Sequence, residues 1–270
     1  MKPKIYVGTS GFSYADWVGR YYPEGTKPSQ MFEYYAAEFN CVEINSTHYG
    51  YLSPRTANSL VSRAPDEFRF SVKLHKDFTH VRHHLKNAVS KTNAQNRPFE
   101  AEGKLGVLLA QFPFSFHYSD ANFRFVKLLT EHFEKLCIEF RCESWNFQEV
   151  HNELRSHGTA TCVVDQPRLK GLSGWNPMRT SDTAYVRFHG RNSASWYEHE
   201  EAWERYDYEY KESELKPLVP GLQSLAEDAR EAYLFFNNHY QAQAITNARQ
   251  MAALIGAPMP KLQRDLLGEN

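Results

Sequence analysis

No run of apolar residues in this sequence reaches the roughly 20 needed to cross a bilayer, and the opening MKPKIYVGTSGF has only three apolar residues between its last lysine and first glycine. The protein is therefore expected to be soluble and cytoplasmic, with no membrane partner. Cysteine is scarce. Cys41, Cys137, Cys142 and Cys162 all fall in apolar, strand-like segments and form no CxxC pair. That argues against a disulfide framework or a thiolate metal site, and for small buried side chains in a reducing compartment. An excess of one charge is lacking too: 31 Lys and Arg against 32 Asp and Glu give a net charge of -1. No chain-wide footprint for nucleic acid follows, and only a local basic patch is left to supply one. Walker and Rossmann glycine spacings, internal repeats and low-complexity tracts are also missing, so no cofactor is expected.

What is present is an alternation. Short β-branched or aromatic runs recur as KIYVGTSGF, CVEINSTHY, FRFSVKLH, LGVLLAQF, LCIEFRCESW, TATCVVDQP, AYVRFHGR and AYLFFNN. Between most of them lie helical periods, such as Phe32, Tyr35, Ala36 and Phe39, or Ile245, Ala248, Ala252 and Ile255. Ser53 before Pro54 and Ser119 before Phe123, Val126 and Leu129 read as helix starts, and Asn146 with Glu149 reads as a capping box for a helix that stops near Gly158. The segment RLKGLSGWNPMRTSDT after the sixth strand has glycine and proline turn signals but no helical period. Eight strands alternating with about seven helices, without a linker, predict an α/β fold: one (β/α)8 TIM-type barrel over residues 1–270, with one helix degenerate after strand six.

Strand parity then locates a site. Successive side chains of a strand point to opposite faces, and in such barrels the C-terminal strand ends form the active face. Glu43 with Asn45, Lys73 with His75, Glu139 with Arg141, and Arg187 with His189 share one face, which Gln111 and Asp165 are expected to complete. Val42, Ile44, Ile138, Phe140, Val186 and Phe188 hold the opposite parity, as a helix-contacting surface should. Charges are costly to bury without partners, so this pattern predicts a polar pocket. An ion-pair network that plugs the barrel is the alternative, since three acids (Glu43, Glu139, Asp165) face three bases (Lys73, Arg141, Arg187).

The motifs VGTSGFSYADWVGRYYP, FNCVEINSTHYGYLSP, FRFSVKLHKDFTH, LGVLLAQFPFSF, IEFRCESW, YVRFHGR and FFNN, taken together, resemble the YecE-like family, catalogued as domain of unknown function 72. The resemblance runs from Ile5 to near Ile255 and implies a TIM barrel, in agreement with the alternation; it implies no particular activity. One departure is His48, where the NST-x-Y motif leads one to expect an aromatic residue.

Three functions fit the pocket. In the first, an enzyme acts on a small anionic, phosphorylated or carboxylated, sugar-like ligand. Lys73, Arg141 and Arg187 hold the anion, Glu43 or Glu139 transfers a proton, and His189 and Asp165 are further acid/base candidates. Ser10, Asn45, Gln111, Trp145, Arg191, Asn237 and Asn238 complete the substrate contacts, and the Gly8-Thr9-Ser10-Gly11 turn offers backbone donors for phosphate. The second is a metal-assisted phosphodiester hydrolase with Glu43, His75, Glu139, Asp165, His189 and His239 as candidate ligands. Three cations on the same faces oppose a metal cluster, so no bound metal is expected. Its nucleic-acid partner would meet the basic loop 78–99, which carries Arg82, Lys86, Lys91 and Arg97 with His80, His83 and His84 and no acid; a solvated basic helix is the plainer reading of it. Trp17, Tyr21, Tyr22, Trp145, Trp175, Trp196 and Tyr197 are candidates for stacking on bases or sugars, or for capping the barrel mouth. The third is a non-catalytic metabolite-binding module. Oligomeric state is not legible from the sequence.

Overall fold

A computed structural model describes residues 3–83 and 85–260. Eight parallel strands close into a barrel in chain order: β1 (Lys4–Ser10), β2 (Cys41–Ile44), β3 (Arg69–Lys73), β4 (Leu105–Phe112), β5 (Leu136–Phe140), β6 (Ala160–Asp165), β7 (Thr183–Phe188) and β8 (Glu231–Phe236). The seam is the β1/β8 pair, in register from Lys4 opposite Glu231 to Thr9 opposite Phe236. Outside run α1 (Met31–Ala36), α2 (Pro54–Arg63), α3 (Leu85–Ala101), α4 (Asp120–Thr130), α5 (Gln148–Ser156), α6 (Glu212–Leu215), α7 (Val219–Glu227) and α8 (Gln243–Ile255).

Two of the expected starts form as side-chain caps. Ser53 accepts from the Thr56 amide and Ser119 from the Asn122 amide, each satisfying a donor that the first helical turn leaves open. The capping box at Asn146 does not form. Helix α5 begins one residue later, with Phe147 extended at its N-cap, and the Asn146 side chain instead accepts from Asn176. No helix links β6 to β7. The connecting chain is pinned by the Ser173 amide on the Arg141 carbonyl (2.9 Å), and Gln166 donates to the Ser173 carbonyl (2.8 Å).

The core has two parts. Between strands and helices pack Val42, Ile44, Phe70, Ile138, Phe140, Val186, Phe188 and Phe236, while inside the barrel Tyr6, Leu109, Cys137, Tyr185, Tyr233 and Phe235 fill the N-terminal half. The apolar filling stops at Tyr185, and the charged side chains begin above it. No helix among the described residues is long and apolar enough to cross a membrane.

Gly8 sits where β1 and β2 are still splayed. The Tyr35 hydroxyl bridges that gap, accepting from the Thr9 amide (2.9 Å) and donating to the Cys41 carbonyl (3.0 Å). A Cβ on Gly8 would overlap that carbonyl and lie 2.9 Å from both Cys41 Sγ and the Tyr35 hydroxyl. Because backbone cannot rotate away as a side chain can, Gly8→Ala is expected to cost about 2–4 kcal/mol in urea unfolding. A loss under about 0.5 kcal/mol would show that the strands part freely here.

Candidate functional site

The site is built on Arg187, buried at the end of β7. Its Nη1 meets Glu139 Oε2 at 2.6 Å and its Nη2 meets Glu43 Oε1 at 2.7 Å, so one guanidinium bridges carboxylates from β5 and β2. The second oxygen of Glu43 accepts from the Tyr185 hydroxyl (2.6 Å). Oε1 of Glu139 pairs with Arg141 Nε (2.5 Å) and with His189 Nε2 (3.1 Å). Burial alone would raise the Glu139 pKa, but Arg187, Arg141 and His189 hold it well below the usual carboxylate range. His189 moves the other way: burial, then Arg141, and also Arg187, outweigh Glu139 and push it down to about 3. The neutral ring has both nitrogens engaged, Nε2–H donating to Glu139 and Nδ1 accepting from Asn237 Nδ2 (3.1 Å). In this arrangement His189 orients Glu139 and has no lone pair left for a substrate proton.

Above this layer a cavity of about 460 Å³ opens at the C-terminal end of the barrel, a volume typical of small-ligand sites. Lys73, Gln111, Arg141 and Arg187 face it from the strands, with Asn45, Asn237, Tyr14, Tyr206 and His239 around them. Glu43 and Glu139 do not line it; they are fully buried behind the arginines. The surface offered to a ligand is therefore cationic. Lys73 donates to Gln111 Oε1 (2.8 Å), and the other end of that amide donates to the Phe112 carbonyl (3.0 Å), which fixes its orientation. Among the described residues no carboxylate lies within ion-pairing distance of Lys73 Nζ. Burial, followed by Arg187, lowers its pKa to about 7 despite Glu139 and Glu43. For the Tyr206 phenol, burial is outweighed by Arg141, Arg205 and Arg187, which pull its pKa below the ordinary tyrosine value.

Several sequence expectations are corrected. Asp165 has the opposite parity from that expected: Val164 pairs with Arg187 and Asp165 with Phe188, so its carboxylate leaves the interior. It is held by Arg191 through both oxygens (2.8 and 2.7 Å) and by the Tyr210 hydroxyl (2.6 Å), which also accounts for Arg191. Trp145 is core, not a ligand platform: it stacks between Phe116 and Phe140 and donates to the Phe116 carbonyl. Asn238 is buried and donates to Asn247 Oδ1 and the Tyr208 carbonyl, tying a loop to α8. Ser10 lies beneath the floor, 3.5 Å from Arg187 Nη2. Gly8-Thr9-Ser10 is strand rather than turn, and the Gly11 amide is taken by the Glu43 carbonyl, which removes the phosphate cradle.

The proposed metal ligands are also spoken for. His75 pairs with Asp77 (3.0 Å), His239 stacks on Tyr14, and no group of three or more His, Cys, Asp or Glu among the described residues is arranged to hold an ion. In the basic segment, Lys86, Lys91 and Arg97 belong to α3, while Arg82 precedes it over the Phe116 ring and Lys91 covers Tyr51; His84 lies outside the described residues. Of the stacking candidates, Trp17, Tyr21, Tyr22 and Trp196 are buried, Trp175 is partly buried against the core, and Tyr197 is exposed. His48 occupies its expected aromatic position with its ring edge-to-face against Tyr49 and His80, kept neutral with its pKa down to about 3 by burial and by Lys73.

Comparison with known proteins agrees with the barrel fold. The family profile described as "Protein of unknown function DUF72" matches residues 6–267. The UPF0759 protein YunF of Bacillus subtilis (strain 168) is 26% identical over 269 residues, covering 93% of this chain and 94% of the relative. A DUF72 family crystal structure from Thermotoga maritima MSB8 is 42% identical with a TM-score of 0.87, covering 94% of this chain and 99% of that one. SacUVDE, at 8% identity and a TM-score of 0.54 over 95% and 98% of the two chains, shares the fold alone. With the profile spanning nearly every element from β1 through α8, the chain belongs to the DUF72 family.

Proposed function

We propose that the protein is an enzyme that binds a small phosphorylated or carboxylated ligand in the cavity at the C-terminal end of its barrel. The observation that carries this reading is the segregation of charge: Lys73, Arg141 and Arg187 face the cavity while Glu43 and Glu139 lie behind them. A guanidinium already bridging two carboxylates is held rigidly, and an anion entering above it meets preoriented donors instead of mobile surface lysines. Arg141 is fixed similarly, by Glu139, by Gln166 Oε1 (3.2 Å) and by stacking on Trp196.

Calorimetric titration with sulfate, malonate and glycerol phosphate tests the reading. Arg141→Lys keeps the charge but loses the planar fork, and is expected to weaken binding by about 1–3 kcal/mol while circular dichroism shows the fold retained. Affinity for sulfate, which does not itself titrate here, is expected to fall severalfold as pH rises from 6 to 8. Lys73 deprotonates in that window, with its pKa near 7. Failure of all three anions to bind at millimolar concentration, or binding indifferent to Arg141→Lys, would remove this reading.

A further inference from the structure

We infer that Lys73 is a nucleophile that condenses with the carbonyl group of an anionic oxo compound, such as an oxo acid or a phosphorylated aldehyde or ketone, and that Tyr206 supplies the proton that releases water. The inference rests on the anion reading above and adds to it a reaction and a substrate class.

The geometry separates Lys73 from its neighbours. Arg187 takes both carboxylates, the remaining oxygens of Glu43 and Glu139 are used by Tyr185, Arg141 and His189, and Lys73 is left with the neutral amide of Gln111. A lysine serving only as a counterion would sit against a carboxylate. This one points into a ligand-sized cavity with two arginines beside it, so an anion held by Arg141 and Arg187 presents its adjoining atoms to Nζ. Tyr206 lines the same cavity, and no hydrogen bond from the described residues reaches its hydroxyl. Burial and then Arg187 depress Lys73 to about 7, which leaves a large share of free amine at neutral pH, while at Tyr206 Arg141, Arg205 and Arg187 lower the phenol's pKa against burial, which raises it.

In the step itself, the Nζ lone pair forms a bond to the carbonyl carbon as the π pair moves to oxygen. Oxygen gains a proton and nitrogen loses one, giving a carbinolamine. The carbon–oxygen bond then breaks as the hydroxyl takes a proton from the Tyr206 phenol and leaves as water, and the nitrogen pair completes an iminium. The products are the iminium, water and the Tyr206 phenolate; return of the iminium N–H proton to that phenolate restores the phenol, so that amine and carbonyl have become imine and water with no change in oxidation state.

Glyoxylate, the smallest carboxylate carrying an aldehyde, is a suitable probe with cyanoborohydride as the trap. At pH 7 Lys73 holds on the order of 10³-fold more free amine than an ordinary lysine. Under limiting probe, the peptide bearing Lys73 is expected to gain the mass of glyoxylic acid less one oxygen ahead of every other lysine. The trapping rate should rise as pH increases through 7, opposite in sense to sulfate affinity, and sulfate should suppress it. Tyr206→Phe should slow trapping by roughly tenfold or more. Sulfate binding without preferential labelling of Lys73 anywhere from pH 6 to 9 would overturn the nucleophile and leave the anion reading standing. Absence of both would overturn both, and labelling that sulfate does not suppress would overturn the shared site.

Discussion

Arg187→Met is expected to lower the unfolding free energy by about 3–5 kcal/mol in urea at pH 7, the largest effect of any single substitution in the site. The cause is what remains behind. Glu43 and Glu139 are fully buried, and each loses the guanidinium nitrogen that it meets at 2.7 or 2.6 Å. Glu139 keeps Arg141, but Glu43 is left with only the neutral Tyr185 hydroxyl, which cannot replace the lost charge. Arg187→Lys should recover less than half of the loss, because a point ammonium cannot bridge two carboxylates as a planar fork does. A quadruple variant, Glu43→Leu and Glu139→Leu with Arg141→Met and Arg187→Met, should recover most of that loss, since removing the carboxylates together with both of their arginines also removes the desolvation cost of the network. A loss under about 1 kcal/mol for Arg187→Met would mean that water reaches the carboxylates.

Acid is expected to weaken the protein steeply between pH 6.5 and 3. His189 has a folded pKa near 3 against an ordinary value of about 6.5, so across that window the unfolded chain binds the extra proton. Stability falls as pH falls, by about 3 kcal/mol from His189 on reaching pH 4. His48, also near 3, adds to the same slope. Glu139 acts in the same direction lower down: its folded pKa is depressed, so its contribution is full above the ordinary carboxylate value and is lost as pH drops through the folded one. Lys73 extends the trend upward. Its folded value near 7 lies below that of a free lysine, so stability should continue to rise above neutrality. Above about pH 10 the buried tyrosines Tyr21, Tyr35 and Tyr185, whose pKa values are raised, reverse it. His189→Gln, whose amide can donate to Glu139 and accept from Asn237, should flatten the acid limb. Urea midpoints from pH 4 to 9 for parent and variant measure this, and an unchanged slope would exclude His189 as its source.

Where strands carried charge on one parity and β-branched residues on the other, as in β2, β5 and β7, their interior faces were legible from residue types alone. Strand β6 shows the limit. Its inward residues Ala160, Cys162 and Val164 are small and apolar, as is outward Val163, so period-two reading has little contrast from which to set the phase, and charge alone points Asp165 to the wrong side. Ser53 and Ser119 were readable as caps because the serine side chain itself reaches the first turn; Asn146 had a similar local pattern but a distant partner, Asn176, claimed it. Tyr206 was invisible for a related reason. It belongs to the chain between β7 and α6, where no periodicity announces which side chain folds back over the barrel, and its setting among Arg141, Arg187 and Arg205 exists only in three dimensions. Trp145 misled in the opposite sense, since an aromatic just past a strand end suits either a ligand platform or the packing against Phe116 and Phe140 that it makes.

The seam between β1 and β8 sets an order of events during synthesis. Lys4–Ser10 is made early and Glu231–Phe236 late, so the barrel cannot close until nearly the whole chain has been made. Glu43 and Glu139 precede Arg187 in the chain, and the interior that all three border has no complete wall until β8 is in place. When Phe236 arrives opposite Thr9, the same movement that joins the edges also shuts water out of that interior and commits the charges to one another. Barrel closure and sealing of the ionic floor from water are thus one requirement, and neither is complete until β8 lies against β1.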